Sequence, residues 1–158
     1  MPHNIPTSMM DELGAWNDGA GIPLETWVEC EGNFKLAVGY AAALWPKFEA
    51  VGQYILTEGI KKENILGFEN QENSTPKGVE WVLNHLHLAD LHNHDDDNIS
   101  ADKLLFLGTI MKEMWEAKLR IQFPSRPCTV EFYIPDDPDD FWEYQVSFWQ
   151  TIWDKEQQ

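Results

Sequence analysis

The apolar and polar positions of this chain fall into two different periods. In its last third, Val130, Phe132 and Ile134 alternate with Thr129, Glu131 and Tyr133. Tyr144, Val146 and Phe148 alternate in the same way with Gln145, Ser147 and Trp149. Side chains on a strand point to opposite faces in turn, so period two with one apolar face predicts two half-buried antiparallel strands. The connector from Pro135 to Glu143 is longer than a tight hairpin turn.

Upstream the period changes to that of a helix. Leu104, Leu107, Gly108, Met111, Met114, Trp115 and Leu119 keep three- and four-residue spacing, which predicts an amphipathic helix from Ala101 to Ile121. Ser100 is its N-cap, and Asp102 in the first turn suits the helix dipole. Thr75-Pro76 opens another helix, since Thr caps well and Pro fits the first helical position. Val79, Val82, Leu83, Leu86 and Asp90 share one face of it and Trp81, Leu88 and Leu91 a second, so it is predicted to reach Leu91. The two helices read as an antiparallel hairpin across the polar turn from His92 to Asp97.

A third helix is predicted from Phe34 to Leu44, capped by Asn33 and stopped before Pro46. It is apolar nearly all round, and such a helix is usually buried, so its expected place is the centre of the domain. Ala50 to Thr57 reads as a strand closed by Gly59, Lys61 to Phe68 as a short helix, and Pro23 opens a helical turn through Val28. The first twenty residues carry turn signals and a single aromatic anchor, Trp16, and are expected to be loosely ordered. The sum is an α+β domain spanning residues 1–158. It has three to four helices, including the central one and the hairpin, packed on a small antiparallel sheet that contains the C-terminal hairpin.

Composition adds that the chain folds: 43% of residues are hydrophobic and 13% aromatic, too many for an acidic disordered chain. Eleven basic residues against 27 acidic ones give a net charge of −16. That field opposes nucleic acid and anionic membranes and favours basic partners. Cys30 and Cys128 are too few and too far apart for a disulfide framework. The N-terminal residues form no leader pattern, and the longest apolar run, Leu36 to Trp45, is about half a membrane span. A cytoplasmic location is the expectation.

Two clusters are candidates for chemistry. His85, His87, His92 and His94 precede Asp95, Asp96 and Asp97. On a helix His85 and His87 would point about 200° apart and could not share an ion, and no HExxH spacing is present. A metal site here would use His87, Asp90 and His94, and a metal-dependent hydrolase built on residues 85–97 is the alternative function. The plainer reading is a polar helix end. The second cluster is the connector: Glu131, Asp136, Asp137, Asp139, Asp140 and Glu143, with no Lys or Arg among them and with Phe141 and Trp142 embedded. It lacks the ligand spacing of an EF-hand. Its plainer reading is a solvated loop; its functional reading is an acidic surface with aromatic anchors for a basic protein, because aromatics dominate hot spots and charge steers encounter. Trp149 and Trp153 lie beyond it, where the core should be running out, and would mark an interface if exposed. No nucleophile elbow, phosphate-binding loop or dinucleotide fingerprint occurs, so no cofactor is expected.

Leu104-Leu105-Phe106-Leu107-Gly108, Lys112 to Leu119, Phe123-Pro124 and Tyr144 to Gln150 resemble a group of small, acidic, uncharacterised bacterial proteins. Trp27-Val28-Glu29-Cys30, Gly39-Tyr40-Ala41 and Asn84 to His87 resemble the same group. The resemblance spans most of the chain and implies no activity. In size, acidity and lack of motifs the chain is also similar to the immunity proteins of bacterial polymorphic-toxin systems. That likeness implies a non-enzymatic protein that sequesters a basic toxin domain, with Asp136, Asp137, Asp139, Asp140, Trp142 and Glu143 as the partner-binding residues. A structural or assembly protein without a ligand is the third reading.

Overall fold

A computed structural model describes residues 4–92 and 97–155. In chain order the elements are α1 (Met10–Ala15), α2 (Leu24–Glu31), α3 (Phe34–Leu44), β1 (Phe48–Val51), β2 (Tyr54–Thr57), α4 (Lys62–Glu69), α5 (Pro76–Leu83), β3 (Leu86–His87), α6 (Ala101–Gln122), β4 (Cys128–Tyr133) and β5 (Gln145–Gln150). Short 3-10 segments occupy Thr7–Met9, Leu88–His92, Phe141–Glu143 and Thr151–Lys155. The fold is α+β. Among the described residues no helix is long and apolar enough to cross a membrane.

The two strands expected at the C-terminal end pair antiparallel, from Cys128 opposite Gln150 to Tyr133 opposite Gln145. The sheet order is β3-β5-β4, so β5 is central. The alternation in β5 does separate two faces, yet both are buried. Val146 and Phe148 face the main core, where the Phe148 ring meets Trp115 edge-on. On the other side Ser147 donates to the Trp81 carbonyl at 2.6 Å. Helix α6 covers one face of the sheet and α5 the other, which is why a strand that reads as half-buried has no exposed residue.

Helix α6 has nearly the predicted bounds, with Leu104, Gly108, Met111, Trp115 and Leu119 inward. Gly108 allows its close approach to β4: a Cβ there would lie 2.2 Å from Cζ of Phe132. Asp102 accepts from the Ser8 amide at 2.7 Å and the Ser8 hydroxyl at 2.9 Å, and so ties the N-terminal segment to α6. The buried anchors of that segment are Pro6 and Leu13.

Three expectations are corrected. The stretch read as one strand, Ala50 to Thr57, is a hairpin of β1 and β2. It turns at Gly52, whose φ of +61° suits the first position of a primed two-residue turn. The helix from Pro76 stops at Leu83 rather than Leu91, so there is no helical hairpin. Asn84 leaves the helix because its side chain bonds backbone elsewhere: its amide nitrogen donates to Ile55 O at 3.0 Å and Phe148 O at 3.3 Å, while its oxygen accepts from Thr57 N. Helix α3, expected at the centre, lies on the surface. Phe34 is 92% exposed and Val38 71%. Only its C-terminal end, Ala43 and Leu44, packs on the core, helped by the Trp115 indole donating to Ala43 O at 3.1 Å. Helices α5 and α6 already cover the faces of β5, so no sheet face is left for α3.

Glu80 is fully buried, and among the described residues no lysine, arginine or histidine forms a salt bridge with it. It accepts from Ile55 N and Gln150 N, each at 2.7 Å, and from the Trp153 indole at 2.8 Å. Burial raises its pKa, opposed by these hydrogen bonds. A second, smaller core of Tyr54, Leu56, Ile65 and Val79 lies between β2, α4 and α5.

Candidate partner-binding surface

The acidic connector leaves β4 through Ile134 and the buried Pro135. Its backbone is held at each step. Asp137 O accepts from Asp140 N at 3.1 Å, and Asp137 Oδ1 accepts from Asp139 N at 3.0 Å, the Asx-type turn to which aspartate is suited. Asp140 O accepts from Glu143 N at 3.1 Å. Tyr144, fully buried, donates its hydroxyl to Pro138 O at 3.1 Å. Burial raises the Tyr144 pKa, and the negative Asp139 and Asp137 add to the rise.

Strand β3 and the 3-10 turn after it, Leu88–His92, pin the far end of the loop. The Leu88 amide donates to Tyr144 O at 2.9 Å, and His87 donates from Nδ1 to Trp142 O at 2.6 Å. Phe141 packs against the main core, while Trp142 stays half exposed. Asp136, Asp137, Asp139, Asp140 and Glu143 are all exposed. Among the described residues none of them pairs with a lysine, arginine or histidine. A fixed loop therefore presents five carboxylates and one indole to solvent. Of the three late tryptophans only Trp142 is exposed. Trp149 is buried, with its indole bonded to Asp154 and Lys77 Nζ 4.2 Å from its ring centroid. Trp153 is spent on Glu80.

The histidine region is arranged differently from a helix end. His87 lies in β3, and its ring centroid is 5.1 Å from that of His85. The 200° separation argued for a helix does not apply. His85 is engaged with Val82 O through Nδ1 and stacks on Trp81. His87 Nδ1 is taken by Trp142 O, Asp90 is exposed, and His94 lies outside the described residues. Among the described residues no three His, Cys, Asp or Glu side chains are grouped to hold a metal. Cys128 is a poor nucleophile, because burial and the nearby Glu80 charge push its thiol up to about 12.

Sequence reasoning missed two surface features, both involving α3. A cleft of about 410 Å3 lies between the N-terminal segment, α2, α3 and α6. On its walls the Tyr40 hydroxyl bonds His92 Nε2, and the Trp27 indole donates to Glu12 at 2.8 Å. A groove of about 560 Å3 separates α2 from α3. The usable signal for the second was the absence of any polar stripe on α3, which was read as burial.

Comparison of the chain with protein families, with curated proteins and with solved structures returns no match.

Proposed function

We propose that this protein is a non-enzymatic binding protein that sequesters a basic protein partner through the Asp136–Glu143 loop, as an immunity protein does with its toxin domain. One observation carries the reading: the carboxylates of Asp136, Asp137, Asp139, Asp140 and Glu143 stand exposed, with no ion-pair partner among the described residues, on a loop whose backbone is hydrogen-bonded in place, around the half-exposed Trp142. A preordered loop loses little conformational freedom on binding. Its uncompensated charge would steer a basic surface, and Trp142 would supply apolar contact area at the centre. On a nuclease, such a loop would occupy the phosphate-binding surface by matching the charge of the substrate.

The test starts with capture from a lysate of the native strain, followed by titration of the captured protein against wild type and against a variant with Asp136, Asp137, Asp139 and Asp140 all changed to Lys. The expected result is a basic partner whose affinity falls by about tenfold or more in the variant, with a flattened salt dependence. Equal affinity for both forms would reject the assignment.

A further inference from the structure

The face made by α2 and α3 is unlike the rest of the surface. Every residue from Glu29 to Ala42 is exposed. Phe34, Val38 and Ala41 recur at helical spacing on α3, each exposed, with none of the described residues covering them, and Phe34 is 92% exposed. A monomer rarely leaves so continuous an apolar strip open without a use for it. Beside the strip runs the groove of about 560 Å3, lined by Trp27, Val28, Phe34, Ala37 and Tyr40. A helix laid along it between α2 and α3 would place apolar residues at i, i+3, i+4 and i+7 on that floor.

Charge decides the occupant. Glu29 and Glu31 border the groove, and Glu25 lies one turn before Glu29 on α2. From residue 1 to residue 46 the chain has six carboxylates and a single basic residue, Lys35. A second copy of this chain would bring the same acidic rim against itself. An anionic bilayer would be repelled by it. An amphipathic helix with lysines or arginines flanking its apolar stripe meets both the apolar floor and the acidic border.

We infer that the α2–α3 groove is a docking site, separate from the Asp136–Glu143 loop, for a basic amphipathic helix of a protein partner. The experiment titrates the full chain with a synthetic peptide of roughly 18 residues, about five helical turns, carrying Leu at i, i+3, i+4 and i+7 and Lys elsewhere. A peptide of the same composition in scrambled order, a Glu-for-Lys version and anionic vesicles serve as the other arms. The readouts are calorimetry and tryptophan fluorescence, with sedimentation of the protein alone.

The expected result is one-to-one binding of the amphipathic basic peptide, about tenfold tighter than the scrambled one, with no binding of the acidic peptide or vesicles. Phe34→Ser and Leu36→Ser, both on the groove wall, should each weaken that preference severalfold. These side chains are exposed, so the variants should keep the wild-type circular dichroism. A variant with Asp136, Asp137, Asp139 and Asp140 changed to Asn should retain the preference, which separates this site from the loop. Equal binding of the scrambled peptide, indifference to the α3 substitutions, binding to vesicles, or an α3-dependent dimer in sedimentation would overturn the inference.

Discussion

Helix α3 and strand β5 are both strongly apolar, and their surroundings are opposite. Strand β5 alternates in sequence and is buried on both faces; α3 has no polar face and is open to solvent along most of its length. The difference lies in what covers them. Strand β5 sits between α6 and α5, and each supplies a complementary face: Trp115 and Met111 on one side, Trp81 and Glu80 on the other. Helix α3 touches the core only through its last turn. Apolar content reports a tendency to leave water, whereas the supply of partner surface decides whether the tendency is met within one chain.

The comparison breaks most sharply at Phe148. Phe148→Ala removes a fully buried ring that contacts Phe48 and Trp115, and should cost about 3–5 kcal/mol in chemical denaturation. Next comes Glu80 on the opposite side of the strand. Glu80→Ala would take the acceptor from four donors, Ile55 N, Gln150 N, Gln150 Nε2 and the Trp153 indole, for a loss of about 2–3 kcal/mol.

Glu80 also gives the comparison a pH signature. Its pKa is raised on folding, chiefly by burial. Its contribution to stability is therefore fully present below the ordinary glutamate value and is lost as pH rises through the folded one. Asp102 works in the other direction. Hydrogen bonding from Ser100 above all lowers its pKa to about 2, so its contribution holds above the ordinary aspartate value and fades as pH falls toward about 2. Between about pH 4.5 and 8 the Asp102 contribution is constant. The difference in unfolding free energy between wild type and Glu80→Gln across that window should then follow Glu80 alone, with wild type losing ground as pH rises. A difference independent of pH would contradict the raised pKa. The smallest effect belongs to α3: Phe34→Ser should shift stability by no more than about 0.5 kcal/mol, and a loss comparable to that of Phe148→Ala would mean that the helix is covered in solution.

Much of this contrast was open to sequence reading. The bounds of α6 follow from its spacing, because a long amphipathic stripe leaves little ambiguity. The pairing of β4 with β5 follows from their alternation. The ends of α5 were less accessible: its start is local chemistry, Thr75 bonding Gly78 N at 3.0 Å, but its stop depends on Asn84 meeting Ile55 and Phe148 across 29 and 64 residues of chain. Strand β3 has two residues and no pattern to read. The acidic loop was visible as composition, while the bonds that order it come from His87 and the phenol of Tyr144 and required the fold. The α2–α3 groove was hidden for a different reason, since periodicity assigns a face to a helix and says nothing about the cover.

Glu80 in α5 and Asn84 at its C-cap have a consequence for the edges of both sheets. Strand β3 pairs with β5 only at Val146 and Gln145. Beyond that point the same flank of β5 would present Phe148 O and Gln150 N to any passing strand, and β2 would present Ile55 and Thr57. Glu80 in the last turn of α5 and Asn84 at its C-cap fill those positions. They act as a surrogate strand made of side chains, continuing the ladder where the chain provides no backbone. Those flanks of β5 and β2 are thereby closed to a passing strand, and open flanks of that kind are where sheet-to-sheet aggregation grows.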